Sequence, residues 1–213
     1  PADGTGMARV LIVANGDWPE QFNFKRIFDD YSQIIALDGA ANRLIEQGHL
    51  PDVIIGDFDS IEPSVLKDCK ERGSQIVVDA NQEQSDVSKG LIWAHEHHPT
   101  SQIYLIGIEI GRYDHHLAGY SALFECQSSA ILLLDGWEAL RIGSTPREVQ
   151  VHEGGLFSLI PFGTVTGVKL QGCRYPLDNE TLSSGTRGVS NKAVGSVITA
   201  SAQSGDLLLL IER

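Results

Sequence analysis

Three short segments of this sequence carry side chains whose types and spacing could do chemistry together. The first is Pro51-Asp52-Val53-Ile54-Ile55-Gly56-Asp57-Phe58-Asp59-Ser60. Two aspartates one residue apart in extended chain project to the same side and offer several hard oxygen ligands to one Mg2+, while Gly56 permits close approach. That suits a metal-bound polyphosphate, although a turn with a capping Asp reads from the same letters. The second segment is Asn81-Gln82-Glu83-Gln84-Ser85-Asp86-Val87-Ser88-Lys89. Asp86 and Lys89 share a face at the first turn of a helix, where free backbone amides also favour phosphate oxygens. A carboxylate for metal and an ammonium for phosphate would then sit together, with a surface i,i+3 ion pair as the alternative. The third is Gly107-Ile108-Glu109-Ile110-Gly111-Arg112-Tyr113-Asp114-His115-His116. Arg112 can fork onto phosphate oxygens, Asp114 can hold metal or pin that guanidinium, and His115 can donate to a phosphate or a base. A helix cap by Asp114 beside a solvated Arg112 is the plainer alternative.

These segments need a frame that brings them together. From Met7 to Asp135, short β-branched runs alternate with stretches of helical period: Val10 to Ala14, Ile34 to Leu37, Val53 to Ile55, Ile76 to Val78, Ile103 to Ile106 and Ile131 to Leu134. This is a βαβ pattern. The runs lack polar alternation, so the strands are expected to be covered on both faces, in a mostly parallel, Rossmann-like, doubly wound α/β domain. Gly48 and Gly73 stop helices, and Ser85 caps one that ends before Pro99. Asn15-Gly16, Asp38-Gly39, Gly56-Asp57, Asp79, Gly107 and Asp135-Gly136 follow the strands. In an open α/β sheet the ligand crevice lies at those carboxyl ends.

After Asp135 the chain changes to β-prone runs separated by Gly, Pro, Asn and Ser, so a second, all-β domain is expected over 136–213. Its strands are read as Glu138 to Ile142, Glu148 to His152, Leu156 to Ile160, Val165 to Leu170, Val194 to Ala200 and Leu207 to Ile211. Gly172 to Val189 reads as the longest irregular connection.

Composition narrows the function classes. The 213 residues carry 16 basic and 28 acidic side chains, a formal charge of -12, so the surface repels polyanions and nucleic-acid binding is not expected. A phosphate ligand then needs a divalent metal or a few well-placed cations. No apolar run approaches the roughly 20 residues of a membrane span, so a soluble protein is expected. Cys69, Cys126 and Cys173 are odd in number and widely spaced, which fits a reducing, cytoplasmic setting. The only methionine is Met7, and residues 1–6 read as an expression remnant. His95, His97, His98, His115 and His116 invite a zinc site, but His95 and His98 fall at a helix end that favours imidazolium, with no Cys near in sequence.

Taken in order, Asp38-Gly39-Ala40-Ala41, Gly56-Asp57-Phe58-Asp59-Ser60, Gln84-Ser85-Asp86-Val87-Ser88-Lys89 and Gly111-Arg112-Tyr113-Asp114-His115 resemble the thiamine pyrophosphokinase family, bacterial type. Arg174-Tyr175-Pro176-Leu177-Asp178-Asn179-Glu180-Thr181-Leu182 and Gly188-Val189-Ser190-Asn191 continue the resemblance, which spans nearly all of Ala8 to Ile211. It implies an α/β catalytic domain over 7–135 and a β-sandwich thiamine-binding domain over 136–213. It also implies a homodimer with active sites between chains, and transfer of the terminal pyrophosphoryl unit of ATP to the hydroxyl of thiamine, releasing AMP, with Mg2+.

The resemblance carries roles to particular residues. Asp57, Asp59, Asp86 and Asp114 are implied as metal-site carboxylates, and with Lys89 and Arg112 they form the implied catalytic set. Asn15, Gly16, Asp38, Gly39, Lys89, Arg112 and His115 are the expected nucleotide contacts. Ser190 and Asn191 match the thiamine segment, and Tyr175 stands where animal members carry a Trp that packs on thiamine. Two departures are Ile108-Glu109-Ile110, where a glycine-rich approach is common, and Lys192, where bacterial members often have an acid. The alternatives are a pyrophosphokinase for another heterocyclic alcohol, such as a hydroxymethylpterin, and a non-catalytic thiamine or nucleotide sensor.

Overall fold

The structure is a computed structural model that describes residues 6–213. Apart from Gly6, the segment read as an expression remnant lies outside the described residues. The chain divides into two compact units, one ending at Asp135 and one spanning Gly136–Arg213.

The first unit holds six strands: β1 (Arg9–Val13), β2 (Gln33–Leu37), β3 (Val53–Gly56), β4 (Gln75–Val78), β5 (Gln102–Ile106) and β6 (Ile131–Leu134). All pair in parallel, in the order β4-β3-β2-β1-β5-β6. Val10 to Val13, Ile54 and Ile103 to Ile106 are buried, whereas β4 has no buried residue, as suits the terminal strand of that order. Between strands lie α1 (Ala40–Glu46), α2 (Pro63–Glu71), α3 (Asp86–His97) and α4 (Tyr113–Glu125). Pro63 opens α2, where its missing N–H costs nothing, and the Ser85 hydroxyl accepts from the Ser88 N–H to cap α3. α3 packs on β1, β2 and β3 and against α4, while α1 packs on β2 and against α2. Two 3-10 turns, Glu20–Asn23 and Lys25–Asp30, add Phe22 and Phe28 to a core that includes Leu11, Trp18 and Ile54.

The second unit is β-rich: β7 (Trp137–Ile142), β8 (Arg147–Gln150), β9 (Leu156–Gln171), β10 (Leu177–Ser183), β11 (Asn191–Lys192), β12 (Val197–Ser201) and β13 (Ser204–Glu212). All pairings are antiparallel, in the order β7-β13-β9-β12-β8, with β10 and β11 also on β9. Its core takes alternate residues: Leu140 and Ile142, Phe157 and Leu159, Val168 and Leu170, Leu207, Leu209 and Ile211.

Two readings of this half are corrected. Leu156 to Ile160 and Val165 to Leu170 belong to one 16-residue strand. The Pro161-Phe162-Gly163 signal is absorbed as an irregularity within it: Gly163 takes φ 82, and a register shift falls opposite, between Ser204 and Asp206 of β13. The span expected to be irregular, Gly172 to Val189, contains β10, whose polar sequence hides a strand recruited by β9. No helix among the described residues is long and apolar enough to cross a membrane.

Candidate functional site

Strands β1 and β5 are neighbours, and the chain continues from them to opposite sides, β1 to β2 and β5 to β6. A crevice at the carboxyl ends of such a pair is where open α/β sheets take ligands. A cleft of about 440 Å3 lies there. Its walls come from the turns after β1 (Asn15, Gly16), β3 (Asp57, Asp59) and β5 (Gly107, Ile110), and from the starts of α3 and α4. The β1 and β5 turns interlock so closely that a Cβ on Gly16 would lie 2.2 Å from the Gly107 carbonyl oxygen, and one on Gly107 would lie 2.2 Å from that of Ala14. Asp17 N–H donates to the Glu109 carbonyl at 2.7 Å and seals the junction.

The charge at this end is concentrated in Asp38, Asp57 and Asp59, each with a carboxylate oxygen within 4.8 Å of the others. Asp38 is 2% exposed, and its Oδ1 accepts from Ile61 N–H at 2.8 Å and Ser60 N–H at 3.3 Å. Burial pushes its carboxyl up to about 6, opposed by the Ile61 amide and aided by neighbouring Asp59. Gln82 Nε2 donates to Asp57 Oδ2 at 3.1 Å and holds that carboxyl below its ordinary value. Ser60 Oγ donates to Asp59 Oδ1 at 2.8 Å. Three converging hard-oxygen donors beside two amide-anchored turns fit a divalent cation of the Mg2+ type.

The other residues singled out from sequence fall into distinct settings. Lys89 lines the cleft although only 5% exposed; its Nζ donates to the Asp79 carbonyl at 3.0 Å and faces Asp86 Oδ1 at 3.4 Å. Asp86 and His115 also line it. Arg112 and Asp114 stand outside the lining and form a forked pair with each other, Nε to Oδ1 at 3.2 Å and Nη2 to Oδ2 at 2.6 Å. That contact draws Asp114 down to about 2 and raises Arg112. Gly39 abuts Asn15, whose Nδ2 a Cβ would approach to 2.7 Å. Asp38 thus stands with Asp57 and Asp59, while Asp86 faces Lys89 within the cleft lining and Asp114 pairs with Arg112. Gln82 was part of the quoted motif with no role of its own, and only the fold shows that it reaches Asp57.

The second unit has its own pocket of about 430 Å3, with an apolar lining that includes Leu159, Leu170 and Leu182 and a polar one that includes Tyr175, Glu180 and Asn191. Arg174 and Arg187 also border it, and Arg187 pairs with Glu180. Asn191 is buried and its amide is spent on the backbone: Oδ1 accepts from Tyr175 N–H at 3.2 Å, and Nδ2 donates to the Tyr175 carbonyl at 2.9 Å. Tyr175 is 59% exposed, with the Arg174 guanidinium 5.5 Å from its ring centroid. Ser190 lies outside the lining, at φ 62, with its N–H donated to Ser158 Oγ at 3.0 Å.

The first unit therefore defines a class: an α/β protein whose crevice at the ends of a parallel sheet carries charges suited to a phosphate-bearing ligand. Comparison with known proteins sharpens it. Residues 24–134 match the family described as Thiamin pyrophosphokinase, catalytic domain, and residues 144–205 match Thiamin pyrophosphokinase, vitamin B1 binding domain. The chain is 28% identical to the thiamine pyrophosphokinase of Bacillus subtilis, over 96% of this chain and 98% of that one. It is 27% identical to thiamine pyrophosphokinase 1 of Oryza sativa subsp. japonica, over 87% of this chain and 80% of that one. The crystal structure of the Bacillus subtilis thiamine pyrophosphokinase superposes with a TM-score of 0.79 at 25% identity, covering 96% and 98% of the two chains. The chain belongs to the thiamin pyrophosphokinase family, and its enzymatic activity is that of a thiamine diphosphokinase. Neither a pterin acceptor nor a non-catalytic sensor finds support among these matches.

Proposed function

We propose that the cleft of the first unit binds ATP, that the pocket of the second binds thiamine, and that the thiamine hydroxyl attacks the β-phosphorus. The new bond joins that oxygen to phosphorus, the bond to the α-phosphate bridging oxygen breaks, AMP leaves and the hydroxyl gives up its proton. The observation that carries this reading is the convergence of Asp38, Asp57 and Asp59 beside the cleft.

These three residues would hold Mg2+, which when bound would neutralise polyphosphate charge and polarise the transferring group. The chain's own part is orientation and electrostatics, which make up most of what phosphoryl transfer requires. Lys89, seated out of water, directs its ammonium at phosphate oxygens where its charge is poorly screened. Arg112, released from Asp114, and His115 add donors at the rim. Tyr175 covers the thiamine cation, and Asn191 acts through it by fixing its backbone. In this reading the first unit is Rossmann-like and doubly wound, the second is a β-sandwich, and the enzyme works in the cytoplasm as a homodimer with sites shared between chains.

The test supplies ATP, Mg2+ and thiamine and follows AMP and thiamine pyrophosphate together. ADP with thiamine monophosphate would overturn the attack site. At thiamine well below the KM of the Tyr175→Ala enzyme, mixing an Asp57→Asn chain with a Tyr175→Ala chain is expected to give more activity than the two chains assayed apart if sites are shared. No recovery after proven subunit exchange would count against sharing.

A further inference from the structure

The turn that carries Asp57 and Asp59 is strained and externally held. Phe58, between the two aspartates, sits at φ 65, a left-handed conformation that a bulky side chain adopts only when its surroundings impose it. Two side chains do so. Asp38 accepts from Ser60 and Ile61 N–H, as described. The other is Asn42, on α1, which uses both ends of its amide: Nδ2 donates to the Ser60 carbonyl at 3.2 Å, and Oδ1 accepts from Glu62 N–H at 3.0 Å. Glu62 precedes α2 and offers no side-chain cap of its own, so Asn42 supplies an acceptor that the helix start lacks.

We infer that Asn42 is a positioning residue that sets the separation of the Asp57 and Asp59 carboxylates and thereby the affinity of their site for a divalent cation. Asp38 holds the turn through Oδ1 only, and as a member of the carboxylate group it is itself drawn on when a cation binds. Asn42 is neutral and stands apart from the carboxylate group, so its hold on the turn does not change when charge arrives. Its neighbour Arg43 ties the opposite wall: its guanidinium lies 4.4 Å from the Trp18 ring centroid and donates to the Gly16 carbonyl at 3.3 Å. Two adjacent residues of one short helix thus brace two turns of the cleft.

The inference rests on the proposed metal role of Asp57 and Asp59, and the experiment separates the two. Mn2+ binding to the nucleotide-free protein is measured by electron paramagnetic resonance, alongside the Mg2+ dependence of AMP release and the melting temperature. Asn42→Ala is expected to weaken Mn2+ about 10-fold and to shift half-activation by Mg2+ similarly, as loss of a group supporting metal ligands does. At saturating Mg2+, kcat and the thiamine KM should return close to the parent values. Asn42→Ser, which retains a hydroxyl but not the reach, is expected to do the same and serves if the Ala variant does not fold. Unchanged Mn2+ affinity, with or without a lower melting temperature, would overturn the inference and leave Asn42 a structural residue. Asp57→Asn is the control: if it binds Mn2+ like the parent, the reading of the carboxylate site fails, whatever Asn42 does.

Discussion

The two concavities of this protein are nearly equal in size, about 440 and 430 Å3, and opposite in charge design. The first has Asp57, Asp59 and Asp86 in its lining and one deeply seated ammonium, Lys89, although its proposed ligand is a polyanion. The second has Arg174 and Arg187 against a single Glu180, although its proposed ligand is a cation. Each is thus mismatched to its ligand until something else arrives or moves. In the proposed reading a divalent cation would offset the excess negative charge of the first, and in the second the ring of Tyr175 would exchange Arg174 for the incoming heterocycle. The lesson is that the charge of a lining does not by itself name a ligand; what matters is which groups are committed within the protein and which are free to change partner.

The comparison breaks most readily at the carboxylates. Asp57→Asn or Asp59→Asn is expected to lower turnover about 100- to 1,000-fold while the melting temperature stays close to that of the parent, because electrostatic stabilisation is lost and core packing is not. AMP release and thermal unfolding check it, and near-parent turnover with normal Mg2+ dependence would remove these residues from the site. Next in size, Tyr175→Ala should raise the thiamine KM about 10-fold, the worth of a cation–π contact between exposed and desolvated limits, with Mg2+ dependence unaltered. An unchanged KM would leave Tyr175 a support for the β-rich unit.

Asp38 tests the cost of the acidic design. Its carboxyl, raised to about 6 by burial, stays protonated in the folded protein over a range where the unfolded chain has already ionised. In metal-free protein its part of the stability is therefore lost as pH rises from about 4 to about 6 and stays lost above, by about 2 to 3 kcal/mol. Asp38→Asn should flatten that slope and make the metal-free protein more stable than the parent at pH 8, while its Mn2+ binding is lost. Denaturant titrations at pH 4 and pH 8 decide it, and equal slopes would show that the group is not strained. The smallest effect is expected at Arg112 and Asp114, which are exposed and screened: Asp114→Asn should leave the melting temperature within about 1 °C at physiological salt. A larger drop would make the pair a structural brace instead of a reserve for phosphate.

Much of the α/β unit was legible because its signals are local. The β-branched runs of all six strands, the Ser85 cap and the Gly48 and Gly73 stops each depend on neighbours within one turn or one strand. The β-rich unit was less so. Pro161 and Gly163 have the letters of a turn, yet β9 runs through them because β13 pairs on both sides of the irregularity. The polar run Leu177–Ser183 becomes a strand only because β9 lies beside it.

The sequence by itself determined which residue types stand at the ends of the strands, and hence that Asp and Gly would crowd the mouth of a parallel sheet. Tertiary structure alone decided their partnerships. The parallel register that sets Leu37 beside Ile55 brings Asp38 to the turn holding Asp57 and Asp59, from which it is distant in sequence. Asn191 closes on the backbone of Tyr175, 16 residues away. The reason is physical: periodicity and capping are short-range and written in consecutive residues, whereas a carboxylate's ionisation and its neighbours depend on strand register and burial, which only the folded chain creates.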